Sequence, residues 1–308
     1  MKIVISEFMD GAAVQHLQKD FDAVYDPGLV EQPEALLAAV ASADALIVRN
    51  RTRVEGALLS VATDLKVIGR LGVGLDNIDL TACAARNIKV IPATGANSQA
   101  VAEYVIAAAM LLLRGGFMSS AEVAGGKWPR PRLSDGRETA NKTLGLVGFG
   151  GIGQLTARLA QALGMKVAAY DPAMANTDEL WTHTGVQPLA LDALVACADV
   201  ISLHVPLLDS TRNLFSAAII QKMKPGAILI NTARGGIVDE TALANALREG
   251  RLAGAALDVF NNEPLSSENP FKGIPNLLLT PHIAGVTAES NLRVSQLIAE
   301  QVSASLLK

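Results

Sequence analysis

Three short segments hold residues whose types and placement suit acid–base chemistry on a small anion. Asn231-Thr-Ala-Arg-Gly-Gly236 puts Arg234 just beyond an apolar run, Leu257-Asp-Val-Phe-Asn-Asn-Glu-Pro264 carries Asp258 and Glu263, and Leu279-Thr-Pro-His-Ile-Ala-Gly285 carries His282. Each follows a stretch that reads as a strand, and in open α/β sheets ligands bind at the carboxyl ends of strands. The planar Arg fork holds a carboxylate and polarises a carbonyl. A His donates or accepts the proton that accompanies hydride transfer, and a Glu beside it stabilises the charge of the imidazolium. These are the groups that reduction of a 2-oxo acid requires. Spacing alone leaves choices open. His204 also ends a strand and competes with His282, Glu263 taken singly reads as a loop acid, and Arg234 taken singly reads as a strand-end charge. The glycines flanking Arg234 nevertheless point to a close backbone approach to something. His16 falls in an amphipathic helix and His183 in a polar loop.

A source of hydride is written elsewhere in the chain. Leu144 to Val147 is a short apolar run suited to a buried parallel strand, and it runs into Gly148-Phe-Gly-Gly-Ile-Gly153. Gly148, Gly150 and Gly153 fit G-x-G-x-x-G, in which glycines allow a tight turn, close backbone approach to a pyrophosphate and close helix packing. Leu155, Leu159, Ala162 and Leu163 then recur on one helix face, and Gly164 stands where that helix should stop. Val167 to Tyr170 reads as the next strand. Asp171 ends it about 20 residues after the glycines, where a dinucleotide fold places an acid on the adenosine ribose. An acid there repels a 2′-phosphate and selects NAD.

Alternating strands and helices must carry these loops. Lys2–Ser6, Ala23–Tyr25, Ala45–Val48, Lys66–Ile68 and Lys89–Ile91 read as strands, with helices at Gly11–Lys19, Pro33–Ser42, Glu55–Ala62 and Leu80–Arg86 between them. After the glycine turn come strands at Val200–His204, Ala227–Asn231, Gly254–Val259 and Leu277–Thr280, separated by helices at Leu191–Ala198, Ala217–Met223 and Thr241–Glu249. Such alternation implies α/β architecture with doubly wound parallel sheets. A long Ala/Leu-rich helix, Ser98–Arg114, joins the two halves, and the aperiodic stretch 115–141 reads as an arm. The last helix begins near Thr287 with Val294, Ile298 and Val302 on one face. No strand follows it, so it is expected to pack back on the first domain.

Bulk properties narrow the partner classes. The 308 residues are half hydrophobic and carry a formal charge of −4, which gives no basic footprint for nucleic acid and no Lys/Arg block for an anionic membrane. Cys83 and Cys197 stand alone in helix-like apolar contexts and are expected to be reduced core residues of a cytoplasmic protein. No cluster suggests a metal. The longest apolar stretch, Val105–Leu113, is too short to span a bilayer.

Read together, Val147 to Gly153 with Tyr170-Asp-Pro172, Asn231 to Asp239, Ala256-Leu-Asp-Val-Phe260 with Glu263-Pro264, and Thr280 to Gly285 resemble the D-2-hydroxyacid dehydrogenase family. Gly69-Arg-Leu-Gly-Val-Gly-Leu-Asp-Asn-Ile-Asp79 and Val48-Arg-Asn-Arg-Thr52 extend the resemblance over nearly the whole chain, towards the phosphoglycerate dehydrogenase branch. The resemblance implies two Rossmann-like domains with a cleft. A discontinuous, flavodoxin-like substrate domain would comprise 1–97 and 285–308, and an NAD-binding domain 98–284, with a homodimer formed largely through the latter and its arm near 115–141.

It further implies that His282 is the acid/base, Glu263 its partner, and Arg234 the ligand of substrate carboxylate and carbonyl. Val73 and Gly74 would offer N–H groups to that carboxylate, Asn50 would line the pocket, and Arg49 and Arg70 would lie near the substrate's distal end. The cofactor would touch Gly148 and Gly150 to Gly153 including Gly151 and Ile152, then Asp171, His204, Val205, Pro206 and Thr211. Thr232, Ala233 and Arg234 would lie beneath the nicotinamide ribose, Asp258 would hold the carboxamide, and His282 and Gly285 would complete the contacts. Gly151 stands where many relatives carry a larger or basic residue. With Lys308 as the last residue, the C-terminal regulatory domains of long phosphoglycerate dehydrogenases are not expected.

The arginines near these segments, with Arg130 and Arg132 from the arm, imply a small 2-hydroxy or 2-oxo acid bearing a second anion, of 3-phosphoglycerate or 3-sulfolactate type. Hydroxypyruvate or glyoxylate is the alternative substrate. An NAD(H)-sensing corepressor-like binding protein is the alternative of another class.

Overall fold

The computed structural model describes residues 1–307, which divide into two compact units, one of residues 1–97 with 286–307 and one of residues 98–285. Each is built on a parallel sheet.

In the first unit the strands are β1 (Lys2–Ile5), β2 (Asp22–Tyr25), β3 (Ala45–Val48), β4 (Val67–Arg70) and β5 (Lys89–Pro92), in the order β2-β1-β3-β4-β5. The order reverses between β1 and β3, which makes their carboxyl ends the topological switch point. Strands β1, β3 and β4 are rich in Ile, Val and Leu and almost wholly buried, as a sheet covered on both faces requires. One face packs under the closing helix Ala288–Leu306, whose Ile298 and Val302 methyls lie where a Cβ on Gly69 would fall, at 2.7 and 2.8 Å. Only glycine at that strand position lets the helix sit so close. Thr287 caps the helix by accepting the Ser290 N–H at 3.0 Å.

The second unit has β6 (Thr143–Val147), β7 (Lys166–Tyr170), β8 (Gln187–Pro188), β9 (Val200–Leu203), β10 (Ile228–Asn231), β11 (Gly254–Leu257) and β12 (Leu277–Leu279), ordered β12-β11-β10-β9-β6-β7-β8. Its switch point lies between β6 and β9. Helix Ser98–Arg114 packs on helix Gly151–Ala162 and on β10 and β11, burying Val105, Ala108, Ala109 and Leu113.

Some expectations are corrected. His183 lies in a helix, Glu179–Thr184, and not in a polar loop; Asp178 caps it by accepting the Leu180 N–H, and Gly185 ends it in the left-handed region. Strand β8 follows, too short and too polar to register as a strand. The stretch 115–141 contains the short helix Ser120–Ala124. Cys83 is buried, but Cys197 is exposed and so is not a core residue, because it occupies the solvent face of the last turn of helix Leu191–Cys197. No single helix among the described residues is long and apolar enough to cross a membrane.

Candidate active site

The loops after β10, β11 and β12 converge because those strands are neighbours in the sheet. After β10, buried Asn231 shapes the loop: its Oδ1 accepts the Ala233 N–H at 3.0 Å and its Nδ2 donates to the Arg234 carbonyl at 2.8 Å. Arg234 Nη1 donates to the Ala233 carbonyl at 2.6 Å. Directly after it, a Cβ on Gly235 would overlap the Phe260 carbonyl. The close approach anticipated from the glycines is therefore to the loop that carries Glu263. The Gly236 N–H donates to Asn261 Oδ1 at 2.6 Å and ties the same two loops together.

Glu263 is held by the Phe260 N–H, which donates to its Oε1 at 3.0 Å, and its Oε2 lies 2.7 Å from Nδ1 of His282. With the carboxylate ionised, Nδ1 carries the proton and Nε2 is the nitrogen that exchanges one. His282 and Glu263 side chains are each about one-third exposed, at 36% and 34%, so the pair can meet a ligand. Sequence spacing had left His204 in competition with His282, and the geometry separates them. His204 bonds to the Ser202 hydroxyl at 3.0 Å, and loss of water around its ring lowers it to about 4. That ring is neutral near pH 7.

His282 has φ of +57°, in the left-handed region that a non-glycine residue adopts only at a cost of about 1–3 kcal/mol. The residue that holds it there is Asp258, 1% exposed. Its Oδ1 accepts from the Thr280 hydroxyl at 2.6 Å and the Ile283 N–H at 2.7 Å, and its Oδ2 accepts from the Ala284 N–H at 2.8 Å. Tyr104 extends this chain, its hydroxyl 2.6 Å from that of Thr280. Burial pushes the Tyr104 phenol up. Neither Asn231 nor Tyr104 stood out in the sequence: the Asn231 bonds appear only once the loop is folded, and a long helix carries no local sign that Tyr104 meets Thr280.

At the other switch point lies the glycine turn. Gly148 has φ of +97°, and a Cβ there would meet the His204 carbonyl group at 2.7 Å. A Cβ on Gly153 would meet the Gly148 carbonyl oxygen at 2.5 Å, whereas Gly150 and Gly151 have nothing within 4 Å. The first and third glycines thus close the turn and seat the helix, and the middle pair opens on free space at the N-terminus of helix Gly151–Ala162. Ile152 lies in that first helical turn. Asp171 braces the turn, its Oδ2 accepting the Phe149 N–H at 2.8 Å. Val205 is buried against Gly148, and Thr211 closes its own loop by donating to the Pro206 carbonyl at 2.6 Å. Thr232 Oγ1 is buried without a hydrogen-bond partner. An open cradle of backbone N–H groups at a helix start, an acid at the end of β7 and an orphaned hydroxyl beside Arg234 fit a dinucleotide.

Residues 106–284 match the sequence profile described as D-isomer specific 2-hydroxyacid dehydrogenase, NAD binding domain. The chain belongs to that family. It is an NAD-dependent oxidoreductase acting on a 2-hydroxy or 2-oxo acid. It is 51% identical over 304 residues to a curated (S)-sulfolactate dehydrogenase from Chromohalobacter salexigens, covering 99% of this chain and 98% of that one. It is 39% identical to a D-3-phosphoglycerate dehydrogenase from Archaeoglobus fulgidus, covering 98% of this chain but 56% of that protein's length. Among solved structures, a protein from Thermus thermophilus superposes with a TM-score of 0.87 at 34% identity, over 100% of this chain and 97% of that one.

Of the remaining anticipated residues, all but Arg130 and Arg132 lie in the first unit. Arg49 and Asn50 follow β3, Arg70 ends β4, and Val73 and Gly74 lie in the turn after it. Arg49 is half-buried, its Nη2 donating to Asn291 Oδ1 at 2.8 Å and its guanidinium 5.8 Å from the centre of the Phe8 ring. Desolvation lowers the Arg49 guanidinium somewhat, against the Glu7 charge that raises it. Arg70 is buried, and a Cβ on Gly72 would collide with its guanidinium, so the chain folds back over that glycine. Arg130 and Arg132 lie in the 115–141 stretch, and Arg132 bonds to Glu122 there at 2.6 Å.

Proposed function

We propose that this dehydrogenase interconverts 3-sulfolactate of D-like configuration and sulfopyruvate. The observation that carries the reading is the 51% identity, over essentially both full lengths, to an (S)-sulfolactate dehydrogenase. Stereochemistry is consistent with it. In 3-sulfolactate the sulfur-bearing carbon outranks the carboxyl group, so the S label denotes the spatial arrangement that is called R in lactate. An (S)-sulfolactate is therefore a substrate for a D-isomer-specific site.

In this reading Arg234 holds the carboxylate and polarises the C2 oxygen, and Asn50 with the N–H groups of Val73 and Gly74 are the first unit's candidates for substrate contact. His282 Nε2 takes the hydroxyl proton on oxidation and returns it on reduction, and Glu263 balances the imidazolium charge. When bound, NAD would supply the hydride chemistry at C2. Gly148 to Gly153, Asp171, the His204–Pro206 segment, Thr211, Thr232 to Arg234, Asp258 and Gly285 hold that cofactor. Arg49 and Arg70 meet the second anion. A sulfonate sits directly on C3 with one negative charge, whereas a phosphate ester stands one oxygen farther out with about −1.5 to −2.

The test is NADH oxidation with sulfopyruvate, phosphohydroxypyruvate, hydroxypyruvate, glyoxylate and pyruvate. Sulfopyruvate is expected to give the highest kcat/KM. A higher value for phosphohydroxypyruvate or for an acid lacking the second anion overturns the substrate. NADH binding with turnover of none of them supports a sensing role instead.

Assembly as a cytoplasmic homodimer belongs to the same proposal. Phe117, Met118, Val123 and Trp128 are exposed in the 115–141 stretch, Trp128 at 76%, and large apolar side chains left in water favour burial against a partner. Light scattering at the mass of two chains supports it, and a monomer overturns it.

A further inference from the structure

The switch point of the first unit, where the carboxyl ends of β1 and β3 diverge, is where an open α/β sheet offers a crevice to a ligand. Here an acid of the chain itself fills it. Glu7, directly beyond β1, is 4% exposed. Its Oε1 accepts the N–H groups of Arg49 at 2.8 Å and Thr52 at 2.9 Å, and its Oε2 those of Arg51 at 3.1 Å and Asn50 at 3.3 Å. Consecutive N–H groups turned on one carboxylate form an anion-binding nest. The loop carbonyls are held as well: buried Asn77 donates to the Thr52 oxygen at 2.7 Å and to that of Arg49 at 3.4 Å. The Ser6 and Thr52 hydroxyls bond at 3.0 Å.

An occupied nest has a consequence for recognition. The N–H groups of residues 49–52 are spent on Glu7, so a second anionic group on a substrate must be met by side chains. The Arg49 side chain is itself fixed, between Asn291 Oδ1 and the face of Phe8.

We propose that Glu7 is the positioning residue of the subsite for the substrate's second anion: by filling the nest it locks the 49–52 backbone and presents the Arg49 guanidinium in one place. The inference rests on the sulfolactate reading.

Glu7→Gln keeps the shape but turns an amide NH2 towards N–H donors. Glu7→Asp keeps the charge and draws it back by one methylene. In the full-length enzyme with NADH, each is expected to raise KM for sulfopyruvate relative to KM for hydroxypyruvate, about tenfold for Gln, with kcat moved less than KM. Equal changes in both KM values, or a lowered Tm with the ratio unmoved, overturns the proposal and leaves Glu7 a packing residue. Arg49→Ala separates the two levels. If it leaves KM for sulfopyruvate unchanged, the subsite reading itself fails; if it raises that KM while neither Glu7 variant moves the ratio, only the role of Glu7 fails.

Discussion

Asp258 holds the chain on both sides of His282 without being its neighbour in sequence: it accepts from Thr280 before the histidine and from Ile283 and Ala284 after it. Glu263 takes hold of the ring itself, 2.7 Å from Nδ1. One carboxylate sets the backbone and the other sets the imidazole. The two acids, close together after β11, therefore have separable tasks.

Removing the proton carrier and removing its orienter should differ in size. His282→Gln is expected to lower kcat about 10²–10⁴-fold. Glu263→Gln should lose less, since Nε2 remains, while the dissociation constant for NADH stays near the wild-type value. Steady-state kinetics with NADH fluorescence titration measures both; equal losses would merge the two roles.

Asp258→Ala should act first on stability. It leaves two backbone N–H groups and a hydroxyl without their acceptor and releases His282 from its left-handed conformation, at a cost of about 3 kcal/mol or more. Urea unfolding gives the value. A loss under about 1 kcal/mol would show that Asp258 does not hold the loop.

The three glycines of the turn should respond differently to alanine. Gly148→Ala and Gly153→Ala force a Cβ to within 2.7 and 2.5 Å of backbone and should lower Tm. Gly150→Ala enters open space and should leave Tm close to wild type while weakening NADH binding about tenfold or more, because the added methyl stands where the pyrophosphate approaches. Thermal melts with and without NADH distinguish these cases.

His204 makes a prediction about pH. Its folded-state value of about 4 lies below the usual 6.5, so between those pH values the unfolded chain binds a proton that the folded ring does not. Stability is full above about 6.5 and is lost as pH falls towards 4, by about 3 kcal/mol in total from this group. Denaturant unfolding from pH 4.5 to 7.5 should show a smaller decline in His204→Asn. Parallel curves would place the ring in water.

Much of the fold was legible locally. Period-two and period-3.6 patterns are short-range properties of the chain, so the strand–helix alternation, the glycine turn with Asp171 and the start of the last helix at Thr287 could all be read from neighbouring residues. Helix Glu179–Thr184 and the two-residue strand β8 could not. The helix is six residues long, too short for Leu180 and Trp181 to set a period, and the strand is defined only by its pairing with β7. Cys197 shows the same limit, since an apolar neighbourhood in sequence does not say which face of a short helix meets water.

By itself, then, the sequence determined the architecture, the family and the residue types at each strand end, because these depend on local spacing. Only the tertiary structure decided the partnerships. Sheet order set β10, β11 and β12 side by side, and so joined Glu263 to His282 and laid the loop of Arg234 against that of Glu263. It made Gly235 the crossing point with Phe260, gave His282 a carboxylate, and turned Glu7 onto a loop more than forty residues away. Contacts between distant residues are fixed by which strand ends become neighbours, and no local pattern carries that.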